Sequence, residues 1–187
     1  MKNADTFGPA IAMLETSSIA RGIEATDAMM KRASVDLLLT TIVPRGKYIV
    51  LIGGAVADVE AAARAGRDVA AGSVVDEFFI QNVHPQLPAA IKGKVKVTAV
   101  EAVGIIETKE IASAIYAGDA AVKAANVTLI EARNQPGAKG MVVVTGDVGA
   151  VRSAVAAGVA AIPREGMLIA EVVIPLAHPA LARTLTT

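Results

Sequence analysis

One stretch of this chain occurs twice. Residues Leu14 to Leu37 read LETSSIARGIEATDAMMKRASVDL, and Ile106 to Leu129 read IETKEIASAIYAGDAAVKAANVTL. Asp119 follows Asp27 by 92 positions, as Lys123 follows Lys31 and Val127 follows Val35. Laying Ala10–Gly66 on Ala102–Gly158 without gaps gives 22 identities in 57 positions, where unrelated chains rich in Ala and Val would share about one in ten. The chain is a tandem duplication, and its two copies must adopt one architecture. Beyond the second helix the offset grows to 94, since Glu77 and His84 match Glu171 and His178. The second copy therefore carries a two-residue insertion near Pro163-Arg164-Glu165-Gly166, and insertions of that kind fall in loops.

The duplication divides the 187 residues into two small domains, read as residues 1–97 and 98–187. With 53% hydrophobic but only 3% aromatic residues, units of this size leave much apolar surface outside their own cores, which points to burial between subunits. No apolar run reaches the ~20 residues of a membrane helix, and the amino-terminal MKNADTFGP lacks the basic-then-apolar order of a signal peptide. A cytosolic protein is expected, without a membrane partner. The absence of cysteine excludes disulfides and thiolate-held zinc or iron-sulfur sites. Lys and Arg together number 18, as do Asp and Glu. Without a basic run, nucleic acid is not an expected partner.

Along the chain, Pro9 to Glu15 reads as a strand. Ser18 to Ala33 reads as a helix with Ile19, Ile23, Met30 and Ala33 on one face, repeated by Ile111, Ile115, Val122 and Ala125. Thr16, Ser17 or Ser18 supplies the amino-terminal cap. Val35 to Val43 and Lys47 to Ile52 read as strands joined at Pro44-Arg45-Gly46, a hairpin turn in which Pro fixes φ and Gly permits reversal. A helix follows from Val56 to Ala70, then a strand from Val74 to Val83 and a short tail from Pro85 to Ile91, long enough for one helical turn. Gly93 to Glu101 links the copies, and its Val/Lys alternation suggests the start of the next strand. Each copy is thus βαββαβ. Right-handed crossovers place both helices on one face of a four-stranded antiparallel sheet, an α+β, ferredoxin-like plan.

Several motifs then agree at once: Ala102 to Thr108 (AVGIIET), Ala117 to Val127 (AGDAAVKAANV), Thr145 to Val151 (TGDVGAV), Val-Ile-Pro from Val173 and His-Pro at His178. Together they resemble the bacterial microcompartment shell domain, and the first copy is a looser version. Two such domains in one chain resemble the tandem class that forms pseudohexameric trimers, most nearly the propanediol-utilisation type. The resemblance implies a non-enzymatic structural tile of a shell around metabolic enzymes. The resemblance further implies a homotrimer that assembles with other shell proteins and passes small metabolites through a central pore. It implies that the hairpins Val43-Pro44-Arg45-Gly46 and Gln135-Pro136-Gly137-Ala138 line that pore, and that Lys31, Lys123 and Asn82 lie at the tile edge. Relatives of this type carry a pore cysteine that binds an iron-sulfur cluster. Here Val43 or Pro44 takes its place, so no cofactor or metal is expected. Relatives also have an Arg in a Pro-Arg-Pro-His run, which here reads Gln81-Asn82-Val83-His84 and Pro175-Leu176-Ala177-His178.

Plainer readings stand beside these. Lys31 and Lys123 each follow an Asp by four residues, as in an ordinary helix-surface pair. Arg45 suits a solvated turn as well as a ring of charge that attracts anions. His84 and His178, at equivalent positions, read as structural, as do Glu15 and Glu107 at the end of the same strand. Gly53-Gly54 and Gly146 read as turns, because no dinucleotide or Walker pattern surrounds them. The rival in a different class is an oligomeric enzyme or small-molecule-binding protein on the same plan, with an interface pocket. A third reading is a pore that holds an ion or metabolite.

Overall fold

Ala10, Ala12 and Leu14 alternate with Ile11, Met13 and Glu15, so the first strand is apolar on both sides for most of its length, as a strand covered on both faces must be. In the computed structural model, which describes residues 7–186, β1 (Ala10–Thr16) is buried throughout. Residues 1–6, most of the amino-terminal run discussed above, lie outside the described residues. After β1 come α1 (Ile19–Arg32), β2 (Asp36–Val43), β3 (Lys47–Gly54), α2 (Val56–Ala70) and β4 (Val74–Ile80). The strands form an antiparallel sheet in the order β2-β3-β1-β4. Ala10, Ala12 and Leu14 of β1 and Tyr48, Val50 and Ile52 of β3 share one core with Ala25 and Met29 of α1 and Val59 and Ala62 of α2, so both helices cover the same face.

The chain continues through α3 (Leu87–Lys92) into β5 (Ala102–Thr108), α4 (Ile111–Ala124), β6 (Thr128–Gln135), β7 (Lys139–Gly146), α5 (Val148–Ala161), β8 (Leu168–Ile174) and α6 (Pro179–Thr186). The second sheet has the equivalent order β6-β7-β5-β8. Two compact units result: one runs to Val83 and takes in Pro136–Ala138, the other comprises His84–Gln135 and Lys139 onward. The two-residue insertion falls between α5 and β8. None of the described helices is long and apolar enough to cross a membrane.

Local signals account for the helix starts. Ser18 caps α1, its hydroxyl accepting from Arg21 N, and Asp147 caps α5 by accepting from Gly149 N and Ala150 N. Two expectations are corrected. The core face of α1 is Gly22, Ala25 and Met29, spaced three and four apart as a buried stripe must be. Ile19 and Ala33 pack at its margin, but Ile23 and Met30 are exposed, since each is one step of about 100° round the helix from that stripe. The linker before Ala102 forms no strand and ties down through Val95 N donating to Ile130 O. The helical turn read for the tail after β4 is α3, which packs on β6 and α4 within the second unit.

Candidate functional site

The two hairpin turns are built alike and decorated differently. Val43 pairs with Lys47 across the first and Gln135 with Lys139 across the second, leaving three-residue loops, Pro44-Arg45-Gly46 and Pro136-Gly137-Ala138. In each, the last two residues have positive φ: 68° and 71° at Arg45 and Gly46, 85° and 58° at Gly137 and Ala138. Glycine occupies the second of these positions in the first copy and the first in the second copy. A left-handed conformation costs a residue with a Cβ on the order of 1–2 kcal/mol, so Arg45 is held where a glycine would rest without strain. Pro44, Arg45 and Gly46 are exposed, as are Pro136 and Gly137, whereas Val43 and Ala138 are buried and Gln135 is half-buried.

Cations cluster at the hairpin end of both sheets, and nearly all are neutralised. Lys47 Nζ donates to Glu15 Oε1 at 3.1 Å, both side chains buried. Lys139 Nζ donates to Glu107 Oε1 at 2.7 Å, both partly exposed. Arg133 Nε donates to Glu131 Oε2 at 3.0 Å, and Gln135 Nε2 reaches the same oxygen at 3.3 Å. Arg45 is different: among the described residues it makes no hydrogen bond or ion pair. The Glu131-Arg133-Gln135 ladder escaped sequence reasoning. Its signal was present, because these alternate residues stand where the first copy has Leu39, Thr41 and Val43.

The lysines matched to the tile edge also differ between copies. Lys31 donates to Asp27 Oδ2 at 2.6 Å with both side chains exposed. Lys123 pairs with Asp119, which is buried and whose other oxygen accepts from His84 N at 2.9 Å. Asn82 is exposed. The two histidines serve local turns: His84 Nδ1 accepts from Gln86 N and His178 Nδ1 from Ala180 N. Glu15 and Glu107 occupy equivalent strands of the two units, each beside its own lysine.

The model of the BMC domain matches this chain twice, over residues 10–83 and 102–177. The chain belongs to the BMC-domain family. Its relatives in that family include the bacterial microcompartment shell protein PduT of Citrobacter freundii, 40% identical over 176 residues that cover 93% of this chain and 96% of that protein. The shell protein PduA of the same organism is 46% identical over 78 residues, 42% of this chain and 84% of that protein. A microcompartment protein from Desulfitobacterium hafniense superposes with a TM-score of 0.81 at 50% identity, covering 93% of this chain and 98% of that one. The fused permuted hexameric shell protein MSM0275 superposes with a TM-score of 0.62 at 24% identity, over 82% and 83% of the two chains, a likeness of fold alone. Within this family the chain is a tandem-domain structural component of a microcompartment shell.

Proposed function

We propose that three copies close into a pseudohexameric ring that tiles, with other shell proteins, the shell of a microcompartment in the cytoplasm, and that the ring has no catalytic role. The hairpins Val43–Gly46 and Gln135–Ala138 of every chain edge a central opening for small metabolites, while Lys31, Lys123 and Asn82 lie at the rim where tiles meet. The observation that carries the choice of metabolite is Arg45, exposed, strained and, among the described residues, without a hydrogen bond or ion pair, whereas Lys47 in its own hairpin and Arg133 and Lys139 in the second copy's each face a carboxylate. Three such guanidinium groups round a narrow opening raise the local concentration of small anions and lower that of cations, an effect that weakens as salt rises. Because Gly137 occupies the equivalent place, the ring of charge has three members rather than six.

The first test is light scattering on the purified chain: a stable trimer is expected, and a stable monomer would remove the ring. The second is entry of a carboxylate metabolite, relative to a neutral one of similar size, into shells assembled with Arg45→Ala. The anion preference should fall, and unchanged selectivity would remove Arg45 from the role.

A further inference from the structure

Deepening the ring reading, and resting on it, we infer that the carboxy-terminal segment of one copy, His178 to Leu181, docks on Asp27 and the open edge of β2 in a second copy. The contact has a worked example inside the second unit. There His84 N donates to Asp119 Oδ1 at 2.9 Å, and Gln86 clamps the edge of β6, its Nε2 donating to Val127 O and its Oε1 accepting from Leu129 N. Leu87, Ala90 and Ile91 of α3 are buried, and Leu129 is 0% exposed.

The duplication supplies both halves of that arrangement a second time, unjoined. The receiving half is Asp27, whose only partner among the described residues is the exposed Lys31, and β2, where Leu37, the equivalent of Leu129, is 42% exposed. The inserting half is His178 onward. Its imidazole forms the same turn as that of His84, and among the described residues its backbone N–H has no partner. Leu181, the equivalent of the fully buried Leu87, is 39% exposed. An exposed leucine on a short amphipathic segment and an exposed leucine on an open strand edge are complementary surfaces. Within the chain α3 is already spent on β6, and Leu37 and Leu181 both remain exposed, so the segment that covers β2 comes from a second copy. Ala180 stands where Gln86 does, so the side-chain clamp has no counterpart. His178 N to Asp27 and the Leu181–Leu37 contact carry the docking.

The chain has no cysteine, which makes the test clean. Asp27→Cys and His178→Cys are placed in separate, coexpressed chains and treated with an oxidant or, in parallel, a short bismaleimide. His84→Cys with Asp119→Cys in a single chain gives the reference yield, since disulfides demand closely matched geometry. A covalent dimer at a yield approaching the reference is expected. Its absence with both reagents overturns the docking. Light scattering on the same sample separates the two ideas: trimers that persist without cross-linking leave the ring intact and remove this contact, whereas monomers remove both.

Discussion

A Cβ placed on Gly22 would lie 2.4 Å from Cδ1 of Tyr48 and 2.8 Å from Oγ1 of Thr16. The second copy reverses the sizes: Ala114 stands at the helix position, and Gly140 at the strand position, where a Cβ would lie 2.4 Å from that of Ala114. Each copy keeps one side chain in the space between the first helix and the inner sheet, but draws it from opposite sides. Gly22→Ala is therefore expected to destabilise the first unit by about 1–3 kcal/mol through overpacking, although alanine is the better helix former. Adding Tyr48→Gly should remove the clash without restoring stability, because the ring itself is lost. Chemical denaturation across the double-mutant cycle reads the coupling; independent, additive effects would contradict the packing argument.

Arg45→Gly should leave the first unit as stable or raise it by up to about 1 kcal/mol, since it trades left-handed strain for glycine's backbone entropy. Arg45→Val should cost more than 1 kcal/mol, because a β-branched residue resists positive φ. A midpoint that falls for Gly and rises for Val would show that the turn does not hold the conformation described.

Lys47 and Lys139 are equivalent in sequence but unequal in burial. Lys47→Ala withdraws a cation from beside a fully buried carboxylate, for which about 3–5 kcal/mol is expected. Lys139→Ala breaks a half-exposed pair and should cost under about 1 kcal/mol. Equal losses of stability for the two variants would contradict this.

Lys31→Asp together with Lys123→Asp should abolish sheets of assembled tiles, visible by electron microscopy. The single change Lys31→Ala should move stability by no more than about 0.5 kcal/mol, as befits an exposed helix pair. Asp119→Ala should cost about 1–3 kcal/mol, because it leaves His84 N without its buried acceptor. Sheets that form normally from the double variant would take both lysines out of the tile edge.

The βαββαβ order, the antiparallel sheet and the hairpins were legible because the duplication checked each reading against its copy. Helix orientation was less legible. In α1 the bulky Ile23 and Met30 advertise a core face, yet the helix turns Gly22, Ala25 and Met29 inward, because Gly22 leaves room for Tyr48 and Gly66 of α2 leaves room for Met29. The hairpin turns were visible from Pro44 and Gly46, but the left-handed conformation of Arg45 was not. Backbone strain at a non-glycine residue has no compositional signature. Nor did the sequence distinguish Asp27-Lys31 from Asp119-Lys123, identical pairs whose difference comes from α3 packing beside only one of them.

The bare margin of β2 also bears on how the protein must be made. A newly synthesised chain with unpaired strand groups beside Leu37 and Ile42 is competent to stick to whatever extended polypeptide it meets first. Under the proposed docking, the time for which this edge stays bare is set by how soon a second copy arrives. On that reading, synthesis too dilute for copies to meet leaves the edge open to foreign chains.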